Sequence, residues 1–153
     1  MGEETVVEMV IRMLAERELT LGAVECGVDG AVSRRIFDAP DGVAVLGDSL
    51  VVDDVEEAIG LMALPRSQFK KAGDFSAKAA RAAARDGRAF LGVNLCLAVW
   101  ARGACTGEHP IHVALATGRE VITQTLQIEG QGERAVDWLV DRALDMVRRA
   151  LQE

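Results

Sequence analysis

The chain has 153 residues, half of them hydrophobic, and a formal net charge of −7, which together predict a single domain, residues 1–153, with a sizeable core. The negative charge disfavours nucleic acid and anionic membranes as partners, because the overall field repels phosphate. No apolar run approaches the roughly 20 residues that span a bilayer, and the charged start is unlike a secretory signal, so the expected location is cytoplasmic.

The first half of the chain predicts helices that alternate with strands. Apolar residues recur at helical spacing near the start, and short apolar runs follow, as buried strands would give. The predicted elements are, in order, a helix from Thr5 to about Arg17, a strand at Thr20–Val24, a helix at Ala31–Phe37, a strand around Val43–Leu46, and Ser49–Val52 as its continuation or as a paired strand.

The second half predicts further helices and a hairpin. Asp53 and Asp54 can cap a short helix, and Pro65 starts another. The remaining elements are an alanine-rich helix from about Ser76 to Arg85 that Asp86-Gly87 stops, a doubly covered strand within Ala89–Trp100, a hairpin of Pro110–Ala116 and Glu120–Ile128 in which Gly118 supplies the unusual backbone angle, and a closing amphipathic helix. This order predicts an α/β fold, a three-layer α/β/α sandwich with a mixed sheet.

The segment Glu25-Cys26-Gly27-Val28-Asp29-Gly30 lies where the first strand should pass into a helix. Such junctions collect functional groups in α/β proteins, because the free amides of a helix N-terminus stabilise anions and developing oxyanions. Cys26 is the candidate nucleophile, since a thiol near a helix N-terminus favours its thiolate. The alternative is a buried thiol beside a structural turn. Glu25 would either cap the next helix or hold a ligand hydroxyl.

The other cysteines and the histidines carry little chemistry of their own. With Cys96 and Cys105 the total is three, and the absence of CxxC spacing disfavours a disulfide framework and a structural zinc site. We expect His109 and His112 near the start of one later strand, on the same face, without knowing whether either reaches Cys26. No third ligand follows them in the sequence, so we predict no metal site.

The junction also carries a resemblance to a known family. In the family of the CinA C-terminal domain, the nicotinamide mononucleotide amidohydrolases, this place reads Glu-Ser-Cys-Thr-Gly-Gly after a similar strand. Glu25 and Gly30 match that motif, and Cys26 occupies the place of the nucleophilic serine. Further segments resemble family landmarks nearly throughout the chain: Asp38-Ala39-Pro40, Ile59-Gly60-Leu61, Lys71–Ser76, Leu97-Ala98-Val99 and Ala143–Arg149.

The resemblance implies an α/β/α architecture like that of the CinA C-terminal domain, and a homo-oligomer, because family members commonly self-associate. It also implies candidate ligand-binding residues, Glu25, Gly30 and Arg134, for a nucleotide-like small molecule. Arg134 lies in Gly132-Glu133-Arg134, which is similar to the family's Gly-Asp-Arg, where the arginine would face a phosphate. The alternative for Arg134 is an ordinary surface side chain. No cofactor is implied.

The groups that would activate the nucleophile are missing from this sequence. The resemblance implies a lysine and a tyrosine after the second strand, yet the chain has no tyrosine, its first lysine is Lys70, and Val51–Glu57 is acidic and apolar. Without a base the nucleophile attacks poorly. We therefore predict a catalytically degraded relative that keeps the fold and a small-molecule pocket. The alternatives are an active amidohydrolase that uses Cys26, and a structural or interaction module without ligand.

Overall fold

A computed structural model of the chain describes residues 3–70, 75–102, 108–130 and 132–153, apart from the side chains of Gln68 and Lys70. Within these ranges one mixed sheet has helices on both faces, which confirms the predicted α/β/α sandwich. The strands are β1 (Leu21–Cys26), β2 (Leu46–Val52), β3 (Leu95–Trp100), β4 (Ile111–Ala116) and β5 (Val121–Leu126). The helices are α1 (Val6–Glu16), α2 (Ala31–Asp38), α3 (Gly42–Val45), α4 (Val55–Met62), α5 (Arg66–Lys70), α6 (Ala77–Leu91) and α7 (Glu133–Gln152).

The strand order is β2-β1-β3-β4-β5. Strand β1 runs parallel to β2 and β3, and β4 runs antiparallel to both of its neighbours. The carboxyl ends of β1, β2 and β3 therefore meet at one edge of the sheet. At that edge five residues stand side by side, and we call them the end row: Val52, Cys26, Trp100, His112 and Thr125.

The two faces of the sheet carry separate apolar clusters. Helices α1, α2, α3 and α7 cover the face to which Leu97 and Val99 belong, and α4, α5 and α6 cover the face of Cys26, Cys96 and Trp100. Strand β3 is buried at every position, as a strand packed on both faces must be. Within the described ranges, every helix falls short of the length and apolarity that a bilayer-spanning segment needs.

Local capping signals place several helix starts where the sequence predicts them. Thr5 and Glu8 form a reciprocal capping box at the start of α1, since the Thr5 amide donates to Glu8 and the Glu8 amide donates to Thr5. Asp54 caps α4 by accepting the Glu57 amide at 2.8 Å. Ser76 caps α6 by accepting the Ala79 amide at 3.0 Å.

The predicted end of α6 at Asp86-Gly87 is wrong. The helix continues through Gly87 to Leu91 and ends at Gly92, which has φ 67°. Gly87 faces the sheet, and a Cβ there would lie 2.8 Å from Val24 Cγ2 and 2.9 Å from Cys96 Sγ. This glycine is therefore needed for close approach of helix and sheet and does not stop the helix.

Two other local predictions are also wrong. Val43–Leu46 does not begin a strand, because residues Gly42–Val45 form the short helix α3, and β2 starts only at Leu46. The β4–β5 hairpin forms as predicted, but Gly118 is not among the described residues with positive φ. The turn is held instead by the Thr117 hydroxyl, which accepts the amides of Arg119 and Glu120, both at 3.1 Å.

Candidate functional site

Glu25 is fully buried near the end of β1, and its carboxylate accepts hydrogen bonds from the first turn of α2. One oxygen accepts the Val32 amide at 2.8 Å. The other accepts the Ser33 amide at 3.0 Å and the Ser33 hydroxyl at 2.6 Å. Both oxygens thus satisfy the N-terminus of α2, where an anion or oxyanion would otherwise bind. The geometry favours the capping interpretation of Glu25 over a ligand contact.

Cys26 is sealed inside the structure. Its side chain has no exposed surface and belongs to the apolar cluster beneath α4, α5 and α6. Strand β1 reaches two residues further than predicted, because the Cys26 carbonyl accepts the Ala101 amide at 3.0 Å and the Gly27 amide donates to Val52 at 3.4 Å. The amide that follows the candidate nucleophile is therefore engaged in the sheet and not free to stabilise an oxyanion.

The surroundings of Cys26 also disfavour its thiolate. Burial raises the pKa of Cys26 to about 12, and the carboxylates of Asp54, Asp53 and Glu57 add to the rise. A reactive cysteine needs the opposite environment, with nearby cations or free helix amides that stabilise the thiolate. The three carboxylates belong to the acidic segment that precedes α4 and forms its first turn. Their presence after β2 can therefore be read from the sequence.

We expect Cys26 to resist alkylation in the folded protein. At pH 8 about one thiol in ten thousand would be ionised, against roughly a quarter for a free cysteine, so its labelling should be about a thousandfold slower. Mass spectrometry after iodoacetamide treatment measures this in a Cys105→Ser background, since Cys105 lies outside the described residues. Labelling of Cys26 before the protein unfolds would contradict the buried geometry.

The two buried thiols also predict a loss of stability in alkali. Burial raises the pKa of Cys96 to about 12 as well, whereas an unfolded thiol ionises near pH 8.5. Above about pH 8.5 the unfolded state binds fewer protons than the folded state, so the free energy of unfolding falls with pH until the folded thiols ionise. We expect a slope of about 1.4 kcal/mol per pH unit for each thiol. Urea titrations from pH 7.5 to 10 measure it, and Cys96→Ala should halve it; an unchanged stability would contradict the pKa shifts.

His112 does not reach Cys26, and His109 is an exposed residue just before β4. The prediction that both share one strand face is wrong, because β4 begins at Ile111, and residues three apart on a strand face opposite sides in any case. His112 stands in the end row with Trp100 between it and Cys26, so two strand spacings put their Cα atoms about 10 Å apart. His112 instead contacts the Thr125 hydroxyl at 2.9 Å. Burial lowers the pKa of His112, and a hydrogen bond that the ring donates to the Phe75 backbone opposes that shift.

The loop from Gly27 to Gly30 turns the chain sharply from β1 into α2. Gly27, Asp29 and Gly30 all have positive φ. At Gly30, which is the N-cap of α2, a Cβ would also lie 3.1 Å from Val51 Cγ2. A side chain at this position would be strained in its backbone conformation and tight against Val51, which favours glycine.

A groove of about 680 Å³ opens beside this loop, between α1, α2 and α7. It lies on the sheet face opposite to Cys26, because successive strand residues point to opposite faces and Glu25 is the one that points toward α2. Gly30 is not among the residues that line it. Apolar side chains from the loop and from two helices form its floor: Val7, Val28, Val136 and Val140.

The rim of the groove is acidic. Four carboxylates, those of Asp29, Asp38, Glu133 and Asp137, surround two arginines. Arg35 is held by Asp137 at 2.9 Å and by Asp141 at 2.8 Å. Arg34 donates to the Asp29 carbonyl at 2.5 Å. The rim therefore favours the neutral or cationic part of a ligand over an anionic part.

Arg134 lies outside the groove. It is an exposed residue in the first turn of α7, whereas Gly132 and Glu133, just before it, do line the groove. Gly132 is the N-cap of α7 and gives the helix no side-chain cap. Among the described residues no side chain caps this helix start, and an exposed arginine beside it suits a phosphate toward which its side chain can turn.

A model of the CinA C-terminal domain matches residues 3–151. The chain belongs to that family. A CinA-like protein of Geobacter sulfurreducens is 29% identical over 156 residues, which cover 98% of this chain and 38% of that protein. A CinA-like protein of Dictyoglomus turgidum is 26% identical over 156 residues, with the same two coverages. The chain thus spans 38% of the length of these curated relatives.

Solved structures of CinA-related proteins share the fold. A competence or damage-inducible protein from Enterobacter asburiae superposes with a TM-score of 0.85 at 17% identity, covering 97% of this chain and 99% of that chain. A CinA superfamily protein from Klebsiella pneumoniae gives a TM-score of 0.86 at 15% identity, with 96% of each chain covered. At these identities the likeness extends to the fold alone.

Several residues that the CinA resemblance singled out fall outside the described ranges. These are residues 71–74, most of the segment similar to a family helix start; Cys105 also lies outside the described ranges, within residues 103–107. In the part of this CinA domain that is described, no group of three histidine, cysteine, aspartate or glutamate side chains is placed to hold a metal ion.

Proposed function

We propose that this CinA domain binds a small molecule and has lost the hydrolytic chemistry of its relatives. One observation carries the proposal: the residue in the nucleophile's place, Cys26, is fully buried in an apolar cluster, and nearby carboxylates further oppose its ionisation. Hydrolysis would require a nucleophile that meets both solvent and substrate, together with a base or cation beside it. The engaged amide of Gly27 and the engaged carboxylate of Glu25 further support the loss of chemistry.

The proposed ligand is nucleotide-like, with its phosphate at the N-terminus of α7 and its remainder in the groove. The uncapped first turn of α7 and the nearby side chain of Arg134 support the phosphate end. The acidic rim supports a neutral or cationic remainder, such as the pyridinium of nicotinamide mononucleotide. This arrangement ranks nicotinamide mononucleotide above its acid product, in which a carboxylate replaces the amide and would meet Asp29 and Asp38.

The test is ligand-dependent thermal stabilisation. Nicotinamide mononucleotide at about 5 mM should raise the melting temperature more than the acid product does. Arg134→Gln should remove most of the shift, and Val136→Trp, which fills the groove, should abolish it. Arg142→Gln is the matched control, since it removes the same charge from α7 at a residue stacked on Trp138. A wild-type melting temperature unmoved by either mononucleotide would contradict the proposal and favour an interaction module without ligand.

The family resemblance also supports a homo-oligomer, and we propose that the protein functions in that oligomeric state. In the described part of the chain, β2 and β5 each pair with one neighbour only, so both edges of the sheet could accept a strand from a second copy. Light scattering coupled to size exclusion measures the state directly, and a 16.4 kDa particle at micromolar concentration would contradict this proposal.

A further inference from the structure

A second cavity, of about 300 Å³, lies at the end of the sheet opposite to the end row. Leu95, the first residue of β3, lines it together with the β4–β5 turn, and the last residues of α7 close one side. The groove beside Gly27 is at the other end of the parallel strands. This second cavity is therefore independent of the proposed mononucleotide site.

Three arginines from three different elements line the cavity, and we call it the arginine cavity. Arg17 is the C-cap of α1, Arg88 lies in the last turn of α6, and Arg119 lies in the β4–β5 turn. Two carboxylates, those of Glu120 and Glu153, also line it. Across the described ranges, none of these five side chains forms an ion pair. The side chains that line the cavity carry three positive and two negative charges, in a chain that is acidic as a whole.

The local structure uses few of the arginine donors. Arg17 donates to the Met13 carbonyl at 3.2 Å, and Arg88 donates through Nε to the Asn94 carbonyl at 2.7 Å. A guanidinium has five N–H donors, so each contact occupies a small part of its capacity. No hydrogen bond of the Arg119 side chain is found within the described ranges. Donors from all three arginines are left for a ligand or for water.

Contacts with the helix ends account for only part of the arginine donors, because Arg17 uses one of them on the Met13 carbonyl in the last turn of α1. The last turn of α1 already has backbone partners, since the Leu19 amide donates to the Leu14 carbonyl at 2.9 Å. The last turn of α6 is closed in the same way by the Val93 amide, which donates to the Arg88 carbonyl at 3.2 Å. With those carbonyls occupied, donors of the three clustered guanidinium groups remain available to an anion.

We propose that the arginine cavity binds the phosphate group of a small molecule. A tetrahedral phosphate presents several oxygens in different directions, which suits arginines that come from three elements better than a single planar carboxylate would. The volume is at the lower end of the range for ligand sites, so it fits a phosphate with a small attached group.

Calorimetric titration with inorganic pyrophosphate at low salt tests the proposal. Arg119→Gln should weaken binding by about tenfold or more, because it removes a charge-assisted donor from the cavity. Arg142→Gln makes the same change of net charge far from the cavity and should alter affinity by less than about twofold. Arg119 has no side-chain hydrogen bond in the described structure, so its removal should leave the melting temperature unchanged, and circular dichroism checks this.

Three results would overturn the proposal. The first is no heat of binding at about 10 mM pyrophosphate, and the second is an equal loss of affinity in both variants, which would mean attraction to net charge alone. The third is binding of citrate as tight as that of pyrophosphate, which would reject phosphate as the group recognised. Arg134→Gln should leave pyrophosphate binding intact, so failure here is distinguishable from failure of the mononucleotide proposal.

Discussion

Replacing Glu25 with alanine should lower the free energy of unfolding by about 3 kcal/mol or more. The substitution removes three hydrogen bonds at once and leaves the amides of Val32 and Ser33 without their partner in a buried setting. It also leaves a space where a fully buried side chain stood. Urea denaturation followed by circular dichroism measures the loss.

Ser33→Ala is the matched control for that experiment. It removes the hydroxyl bond to Glu25 but keeps both amide bonds, so we expect a loss of about 1 kcal/mol. A Glu25→Ala protein as stable as the wild type would show that the carboxylate does not hold α2 in place. Its role would then have to be sought in ligand contact instead.

Gly87→Ala is expected to destabilise the protein by about 2 kcal/mol. Alanine favours a helix over glycine by about 1 kcal/mol, so the intrinsic preference points the other way. The contacts decide the sign, because the new Cβ would meet Val24 and Cys96 at less than 3.0 Å and push α6 away from the sheet. Thermal and urea unfolding of the variant measure the net effect.

Gly60 is the opposite case to Gly87, although both glycines lie within helices. It lies in α4, and a Cβ built there meets no heavy atom within 4 Å. Gly60→Ala should therefore stabilise the protein by about 1 kcal/mol, which is the helix preference alone. If both variants shifted stability in the same direction, the close approach of α6 to β1 and β3 would be wrong.

Much of the fold could be predicted because residues close together in the sequence determine each helix and strand. The capping residues Thr5, Asp54 and Ser76 each lie at the start of a helix whose own amides they bind, so a short stretch of sequence suffices. The apolar runs that form β3 and β4 predict buried strands from their composition alone. Alternation of such segments then predicts the layered architecture.

The errors arose where packing or a neighbouring side chain, and not the residue type alone, decides the local structure. Gly87 looks like a helix-stop glycine in sequence but faces β1 and β3, and Gly118 lies in a turn that the Thr117 hydroxyl holds without a positive φ at the glycine. The apolar residues of α3 have the composition of a strand. Their helical turn follows Asp41, which has φ 64°, and Gly42, whose Cβ would lie 1.7 Å from the Ile36 carbonyl oxygen.

The candidate site was only partly predictable for the same reason. The sequence gives Glu25 and Cys26 as neighbours, and it offered capping by Glu25 and burial of Cys26 as alternatives. Choosing between them requires knowing that β1 reaches Cys26, since strand alternation then sends the two side chains to opposite faces. That extension depends on pairing with Val52 and Trp100, which are far along the chain.

Ammonia release from nicotinamide mononucleotide tests the central claim most directly. The purified protein, at high concentration and with a catalytically active family member as positive control, should release no more ammonia than a protein-free blank. Cys26→Ala should give the same result, because a buried thiol with a pKa of about 12 contributes no nucleophile. Turnover by the wild-type protein that Cys26→Ala abolishes would contradict the account.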